Sequence, residues 1–426
     1  MNNINDIKAS HLCYGCGTCN VVCAHDAISM QYDNIGRLLP VVSEEKCTDC
    51  GLCRHFCPSL DLKGIQLPET EDKYVGHVEK VYIGKANDER IFRNSQSGGL
   101  VTATIKYLFD SGKIDAAIMC RVEDSVEYTS KSVVITSPQE LYSCQRSSYV
   151  PVDIVSAIKE AKQFKSIAVV GTGCHIQGVR VLQAFNKSYK ERIKYTLGLI
   201  CDRTLCKTCT DVLYGNNFKN QRKRIVWRDK SIDYAKARLL IQTDGNQKKE
   251  IPRWQRFALK DPFTNPRCRI CCDKLNTHAD MVFGDPWGMS NVDWKNGMSL
   301  VITRTDDGEK IISELLSANL AELQVAPIEE VITGQHMQKR KDHVSAALAY
   351  YKRKCWLLPS YAAQLGFSKE NSKISNQIEK FVKDTSFTKE RIVEINRCYL
   401  RRIYTKMIFK KILKFPLRVV NVLMKQ

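Results

Sequence analysis

Eight cysteines near the start of the chain have the spacing of iron ligands. They form two runs of the pattern Cys-x2-Cys-x2-Cys-x3-Cys, namely Cys13, Cys16, Cys19 and Cys23, and then Cys47, Cys50, Cys53 and Cys57. An iron-sulfur cubane presents its iron corners close together, so three thiolates separated by two residues can bind three corners while the fourth ligand comes from elsewhere. The doubled spacing predicts two [4Fe-4S] clusters, with a zinc site or a disulfide knot as the alternatives.

The fourth cysteine of each run is predicted to cross to the other cluster, as in two-cluster ferredoxins. Cys57 then joins the first three cysteines of the first run, and Cys23 joins the first three of the second run. Between the runs, residues 27–30 and 38–42 have strand patterns, with a turn at residues 33–36. These patterns predict a hairpin that covers the clusters.

Four later cysteines are candidates for a third [4Fe-4S] site: Cys174, Cys201, Cys268 and Cys271. The last two have the spacing of ligands, and the first two follow strand patterns whose ends are expected to converge. Cys206 and Cys209 form a rival pair, Cys272 is a spare, and a mixed or zinc site is the alternative.

The elements that must position these side chains alternate between strands and helices. Strands are predicted at residues 115–120, 167–170 and 195–200, with helices at residues 152–164 and 176–185. Such alternation predicts a parallel sheet with ligands at the carboxyl ends of its strands. Residues 224–230 and 237–242 alternate like antiparallel strands, so the predicted fold class combines α/β and α+β parts.

The chain of 426 residues is long enough for two or three domains. We predict a bacterial-type ferredoxin domain over residues 1–65, a linker over 66–77, a mixed α/β flavin-binding and iron-sulfur domain over 78–335, and a basic helical region over 336–426. Nineteen cysteines without a signal-peptide pattern indicate a reducing cytoplasm. No stretch approaches the roughly 18 apolar residues of a membrane-spanning helix.

Much of the net charge of +19 lies in the tail, where ten Lys or Arg residues follow position 390 against one acidic residue, Glu394. A helix there places apolar side chains on one face: Leu400, Ile403, Tyr404, Met407, Ile408, Ile412 and Phe415. Such a helix suits an anionic surface, such as the inner face of the membrane, or an acidic partner protein. The alternative is a helix packed on its own domain. No nucleic-acid partner is expected, because no binding motif accompanies the charge.

Two glycine-containing loops are candidates for ligand binding. Residues 95–99 precede a helix predicted over 100–109, so their backbone N–H groups can meet a phosphate, although most such loops are tight turns. Residues 171–174 end a predicted strand, and His175 beside a flavin can shuttle protons at neutral pH. The alternative for His175 is a structural hydrogen bond.

Clusters pass single electrons and a flavin converts two such steps into a hydride transfer, so a flavin is their natural partner.

Five segments after the ferredoxin motif, at residues 95–99, 171–174, 198–201, 268–273 and 284–288, together resemble the family of the coenzyme F420 hydrogenase/dehydrogenase beta subunit. The resemblance covers about residues 1–335. It implies one further [4Fe-4S] cluster and FAD, bound through Ser95, Gln96, Ser97, Gly98, Gly99, Gly171, Thr172, Gly173, Asp285 and Trp287. Gly173 and His175 replace the Pro and Gln that are more usual in the family, which leaves the acceptor open.

The resemblance implies an iron-sulfur flavoprotein oxidoreductase that passes electrons between ferredoxin-type clusters and FAD. Hydride exchange then takes place with coenzyme F420 or another organic carrier. Similar proteins in organisms without this coenzyme are associated with surface-polysaccharide synthesis. The alternative is an electron-relay subunit without its own substrate that docks on a partner enzyme or a membrane surface.

Overall fold

The computed structural model describes residues 2–65, 72–215, 221, 223–243 and 248–423, with side chains up to residue 409. Part of the predicted linker, residues 66–71, lies outside this range. The side chains of Lys410, Ile412 and Phe415, which belong to the predicted tail helix, also lie outside the described part.

The N-terminal segment folds around its two cysteine runs. Its elements are α1 (Asn5–Ala9), α2 (Thr18–Val22), β1 (Ile28–Tyr32), β2 (Leu38–Val42) and α3 (Leu52–His55). β1 pairs antiparallel with β2, which confirms the predicted hairpin. α2 and α3 each begin after a glycine with positive φ, Gly17 at 92° and Gly51 at 77°. Because glycine adopts this conformation without steric cost, each run can turn between its second and third cysteine.

A mixed eight-stranded sheet forms the centre of the molecule. Its first strands are β3 (Lys80–Ala86), β4 (Ala116–Glu123), β5 (Thr129–Ile135), β6 (Ile167–Thr172) and β7 (Ile193–Leu199). A separate three-stranded antiparallel sheet follows, with β8 (Lys223–Asp229), β9 (Arg238–Thr243) and β10 (Lys248–Ile251), as the alternation predicted. β11 (Met281–Gly284), β12 (Ser299–Thr303) and β13 (Ala321–Val325) complete the large sheet.

The strand order of the large sheet is β13-β3-β12-β11-β7-β6-β4-β5. The four strands β11, β7, β6 and β4 are parallel, and antiparallel strands flank them on both sides. β6 is apolar along its length and buried, as expected for a central parallel strand. The prediction of a parallel sheet is therefore confirmed for the centre, while the edges make the sheet mixed.

Helices cover the sheet and continue beyond it. They are α4 (Glu89–Asn94), α5 (Leu100–Asp110), α6 (Gly173–Phe185), α7 (Lys187–Arg192), α8 (Cys209–Tyr214), α9 (Arg253–Ala258), α10 (Lys260–Phe263), α11 (Pro266–Arg269), α12 (Asp306–Ser317), α13 (Ile328–Gly334), α14 (Met337–Arg353), α15 (Ala362–Leu365), α16 (Ser372–Asp384) and α17 (Lys389–Leu423).

The α-helix predicted over residues 152–164 is wrong. The structure has a short 3-10 helix there, Ile154–Lys159. The backbone N–H of Val155 donates to the carbonyl of Cys16 at 3.1 Å, and Ser156 N–H donates to Asp153 O at 3.0 Å. The first N–H groups of a regular helix bind solvent or a capping side chain. Here the docked N-terminal module accepts the N–H of Val155 instead.

The C-terminal helices α14 and α16 pack into the same core as the N-terminal module. Ala347, Leu348 and Ile378 are fully buried there. Tyr351 OH donates to the carbonyl of His11 at 3.1 Å, and Trp356 contacts the His11 ring with centroids 4.7 Å apart. The helical C-terminal region thus packs the N-terminal module against the sheet.

Gly36, at the tip of the hairpin, is expected to be intolerant of a side chain. Its φ is +90°, and an added Cβ would lie 2.4 Å from Lys207 N and 2.5 Å from Thr208 N. We expect Gly36→Ala to lower the free energy of unfolding by more than the ~1–2 kcal/mol that a left-handed backbone costs a non-glycine residue. Anaerobic denaturant unfolding measures the loss.

Gly112→Ala is the matched control, because Gly112 has φ +66° and no atom within 4 Å of an added Cβ. It should lose the backbone contribution alone. Equal losses for the two variants would contradict the proposed close packing of the hairpin tip on the segment before α8.

Candidate iron-sulfur and cofactor site

The structure brings Cys57 to the first cysteine run. Burial, and then the neighbouring thiols of Cys57 and Cys16, raise the pKa of the Cys13 thiol to about 12. Burial also raises the pKa of Cys19, whose next influences are Cys13, Cys16 and Cys57. These four cysteines are all buried. Since a ligand must be a thiolate, a bound cluster would have to supply the positive charge that this environment lacks.

Cys23 lies with the second run, next to the protein surface. Burial raises the pKa of Cys53, and Cys23 and Cys47 are electrostatic neighbours that raise it as well. One cavity is lined by Cys23, Cys47, Cys50 and Cys53 together. Cys50 is exposed and Cys47 is half-buried, in contrast to the buried first group. This grouping fits the predicted exchange of fourth cysteines between two cubanes.

Over the described side chains, no three or more His, Cys, Asp or Glu residues approach closely enough to hold a single metal ion. Ligands of a cubane bind different corners of a cage and need not meet at one point. All nineteen cysteines are free thiols.

A third group of cysteines assembles at the ends of neighbouring parallel strands. Cys174 follows β6 at the start of α6, Cys201 comes shortly after β7, and Cys268 lies in α11, three residues before Cys271. Burial raises the pKa of Cys201, with Cys268 and Cys271 as the next influences. Cys174 has Cys201, Cys16 and Cys271 as electrostatic neighbours. The four thiols fit a third [4Fe-4S] cluster.

The rival cysteines lie beside this group. Cys206 and Cys209 are fully buried, and Cys206 has Cys209 and Cys268 as its thiol neighbours. Cys272 lines a separate cavity with Gln177 and Tyr361. These positions are adjacent to the third group, whereas Cys174 also has Cys16 of the first group as an electrostatic neighbour.

The N-terminal module is docked directly on this third group. An added Cβ at Gly178 of α6 would lie 2.3 Å from Thr18 Oγ1 of α2. Asn265 Nδ2 donates to the carbonyl of Cys13 at 3.2 Å. The guanidinium of Arg267 lies over the Tyr14 ring, 4.2 Å from its centroid. The first and third cysteine groups are therefore neighbours across a packed interface.

Residues 171–173 lie at the third cysteine group. Thr172 caps α6, and its Oγ1 lies 3.3 Å from the Cys174 sulfur. The carbonyl of Gly171 accepts from Asn276 Nδ2 at 2.9 Å. An added Cβ at Gly173 would lie 2.5 Å from Asp273 Oδ2. The absence of side chains here lets the 273–276 segment pack against the start of α6.

The loop of residues 95–99 is closed by its own contacts and by Lys230. Ser95 Oγ donates to Ser97 O at 2.7 Å, and Lys230 Nζ donates to Ser95 Oγ at 3.2 Å and to Ser97 O. The N–H of Gly98 donates to Ser299 Oγ at 2.9 Å, so it is not free for a phosphate. Gln96 Nε2 donates to Tyr149 OH at 3.2 Å.

Asp285 and Trp287 lie in an aromatic and charged cluster that reaches the same lysine. Asp285 pairs with Arg228 and accepts from Tyr234 OH at 2.7 Å. The Trp287 and Tyr234 rings are 8° from parallel, with centroids 5.8 Å apart. Arg228 is 6% exposed, and its Nη2 has no hydrogen bond of normal geometry among the described residues.

The charges at this cluster are incompletely neutralised. Burial and then the neighbouring Arg228 lower the pKa of Lys230 to about 8. Burial also lowers the pKa of Arg256, with Arg228 and Arg253 among the other influences that lower it. Arg228 and Lys230 thus share Asp285 as a counter-ion, and Arg256 is a third cation beside them. The arrangement can bind an anionic group such as a phosphate.

Sequence patterns did not identify Arg228 and Lys230 as site residues. Both belong to the segment predicted as an alternating strand, and positions two apart share one face of a strand. The shared face was the sequence signal that could have identified the two cations as a pair. It did not indicate a site, because only the folded chain brings these cations to residues 95–97 and 285.

His175 makes structural contacts with both ring nitrogens. Nε2 is 2.8 Å from Val152 O, and Nδ1 accepts from the Thr172 N–H at 3.2 Å. Burial lowers the pKa of this imidazole to about 4. A neutral ring held at both nitrogens favours the structural hydrogen bond over a proton shuttle at neutral pH.

We expect His175→Gln to keep all bound iron and the pH profile of electron transfer between pH 6 and 8. Loss of its hydrogen bonds should lower the free energy of unfolding by ~1–3 kcal/mol. His55→Gln, at an exposed position, is the control. Loss of electron transfer with intact cofactors would contradict the structural role.

Three family models match the chain. Residues 12–60 match the model described as a 4Fe-4S dicluster domain. Residues 81–159 and 164–329 match those described as the N-term and the C terminus of the beta subunit of coenzyme F420 hydrogenase/dehydrogenase.

Curated relatives carry related names. The coenzyme F420-dependent sulfite reductase of Methanocaldococcus jannaschii is 28% identical over 72% of this chain, which spans only 46% of that protein. One of the subunits of the F420H2 dehydrogenase of Methanosarcina mazei is 24% identical, with coverage of 72% of this chain and 83% of the relative. The beta subunit of the coenzyme F420 hydrogenase of Methanosarcina barkeri is also 24% identical, with coverages of 63% and 89%.

A solved structure shares the fold. A chain of the F420-reducing [NiFe] hydrogenase complex from Methanosarcina barkeri aligns with a TM-score of 0.53 and 21% identity, covering 70% of this chain and 98% of that chain. Together with the matched models, this places the dicluster module ahead of the two beta-subunit regions. The chain belongs to the family of the coenzyme F420 hydrogenase/dehydrogenase beta subunit.

Proposed function

We propose that the chain is an iron-sulfur flavoprotein oxidoreductase. Electrons pass between two ferredoxin-type clusters, a third [4Fe-4S] cluster at Cys174, Cys201, Cys268 and Cys271, and FAD. The observation that supports this most is the position of Cys16 as an electrostatic neighbour of Cys174. It joins the N-terminal module to the central region through two thiol groups in one packed interface.

The burial of the cysteines supports an order in which electrons pass between the three cysteine groups. The group that contains exposed Cys50 is the contact point for an external electron donor or acceptor. The group that contains buried Cys13 and Cys57 comes next, and the third group follows. Each step then joins neighbouring sites, and the four cysteines of the middle group are kept from water.

FAD is proposed to bind where residues 95–97 meet Asp285 and Trp287. Lys230 and the unpaired Nη2 of Arg228 would bind its anionic phosphates, because they are charged donors already held in place. The stacked rings of Tyr234 and Trp287 line the other side of the charged cluster. Bound FAD supplies the conversion between single electrons and a hydride.

A carrier of the coenzyme F420 class is the proposed hydride partner. The relatives whose names specify this coenzyme include subunits of a dehydrogenase and of a hydrogenase. Other organic carriers belong in the same trial, since Gly173 and His175 differ from the more usual residues at the second motif.

Anaerobic purification of the full chain tests the proposal. We expect roughly twelve irons per chain, from three four-iron clusters, together with bound FAD and reduction of coenzyme F420 by an artificial electron donor. A flavin-free protein with all clusters loaded would rule out the flavoprotein assignment.

A relay subunit without its own substrate is the second candidate. It is favoured by the exposed apolar side chains in the middle of α17, where Tyr404 is 54% and Phe409 is 62% exposed beside Arg401 and Lys406. This surface would dock on an acidic partner protein or an anionic membrane. Among the described helices, none has both the length and the apolar character needed to cross a bilayer. Turnover of a hydride carrier by the isolated chain would exclude the pure relay.

A further inference from the structure

Arg340 on α14 donates hydrogen bonds to three backbone carbonyls in the segments that carry the third cysteine group. Its Nε donates to the carbonyl of Cys271 at 2.9 Å, and its Nη2 donates to the carbonyl of Cys268 at 3.0 Å. Its Nη1 donates to the carbonyl of Asp202, the residue after Cys201, at 3.2 Å. One planar guanidinium therefore fixes the two segments that carry three of the four cysteines.

The guanidinium is buried and faces several thiols. Arg340 is 7% exposed, and its nearest carboxylate, Asp202, is 3.8 Å from Nη1. Burial lowers the pKa of this arginine, but Cys271, Asp202, Cys268 and Cys201 outweigh that effect and raise it. Arg340 is thus a fixed positive charge beside these cysteines.

Another buried arginine serves a different purpose. Arg267 donates to Tyr361 OH at 2.7 Å and to the carbonyls of Ser59 and Ile270 at 3.3 Å. These bonds join the N-terminal module to the C-terminal region. Arg340 instead bonds to the carbonyls of the ligand residues themselves, which couples its position to theirs.

α14 holds Arg340 in place. Met337 and Val344, on either side of Arg340 in this helix, are fully buried. α14 begins at Met337, beyond the family-model matches, which end at residue 329. The C-terminal region therefore contributes a side chain to a site whose cysteines all lie within the matched region.

We propose that Arg340 is a positioning residue for the third cluster, which holds the Cys268–Cys271 turn against Cys201 and raises the reduction potential of the site. The inference rests on the proposed third cluster. Each electron accepted at this site adds one negative charge and breaks no bond. A buried cation stabilises that added charge more than it would in water, because the surrounding dielectric is low. Charge, hydrogen bonds and burial around a cluster set its potential.

Three variants of the full chain test the inference. Arg340→Gln removes the charge, Arg340→Lys keeps the charge but loses the fork of donors, and Arg353→Gln changes an arginine of the same helix that is exposed and paired with Glu370 at 2.7 Å. Iron content and anaerobic redox titration followed by electron paramagnetic resonance are measured for each. The signal of the third cluster is assigned by its absence in Cys174→Ala.

We expect Arg340→Gln to retain the third cluster and to shift its reduction equilibrium at least tenfold toward the oxidised form, which is about 59 mV for one electron. Arg340→Lys should shift it less, and Arg353→Gln should leave it unchanged. An unchanged potential in Arg340→Gln would overturn the inference, as would loss of the cluster from both Arg340 variants. A wild-type chain with iron for only two clusters would instead refute the third cluster itself, before any variant is compared.

Discussion

Cys174→Ala is expected to disconnect the ferredoxin module from the proposed flavin. The variant should lose roughly four irons per chain, which is the content of one cubane. The two clusters of the N-terminal module should stay bound to their eight cysteines. Reduction of the proposed FAD by electrons that enter at the exposed Cys50 group should fall to background, because Cys174 of the third group has a neighbour in the first group, Cys16. Iron analysis and anaerobic stopped-flow absorbance measure the two effects.

Cys206→Ala is the matched control for this prediction. Cys206 is fully buried beside Cys268, so its substitution disturbs the same region without removing a proposed ligand. We expect unchanged iron content and flavin reduction. If Cys206→Ala lost four irons and Cys174→Ala kept all of them, the rival cysteine pair would be the true ligand set. Direct chemical reduction of FAD in Cys174→Ala separates loss of the electron path from loss of flavin.

The sequence predicted the N-terminal module well because its signals are local. The spacing within each cysteine run and the hairpin pattern between the runs depend on residues close together in the chain, and the observed pairing of Ile28 with Val42 follows that pattern. The parallel centre of the large sheet was also predictable, since the strands that end before Cys174 and Cys201 are short apolar runs bounded by glycine and charged residues.

The rest of the site depended on contacts between distant segments. The predicted helix over residues 152–164 became a 3-10 helix where the N-terminal module docks, and that docking has no signature in the local sequence. Arg340 lies in a basic region predicted as a helical C-terminal part, where one arginine among many gives no sign of burial. The partner residues that distinguish it, at positions 202, 268 and 271, are 69 or more positions away.

At the proposed FAD site, affinity for FAD is expected to decrease as the pH rises through about 8, the value to which burial and then Arg228 lower the pKa of Lys230. Glu89, Asp285 and Asp293 oppose this effect. A bound phosphate would raise the pKa of Lys230, so the complex holds a proton that the free protein releases above pH 8. Linkage then weakens binding above that pH, by at most about tenfold per pH unit, and leaves it nearly constant below it.

Lys230→Gln should abolish this pH dependence and weaken FAD binding. A hydrogen bond to a charged group contributes about 1.5–3 kcal/mol, which corresponds to a roughly tenfold to hundredfold loss of affinity. Lys236→Gln, at a side chain that is 83% exposed and paired with Asp233, is the control and should bind FAD as the wild type does. Equilibrium titration of flavin fluorescence between pH 6.5 and 9.5 measures all three proteins. Wild-type affinity that stays constant across pH 8, or equal losses in the two variants, would show that Lys230 does not bind the phosphates. A decrease confined to the wild type and Lys236→Gln would connect the buried lysine to the anionic part of the flavin, because these two proteins share the titrating side chain that Lys230→Gln lacks.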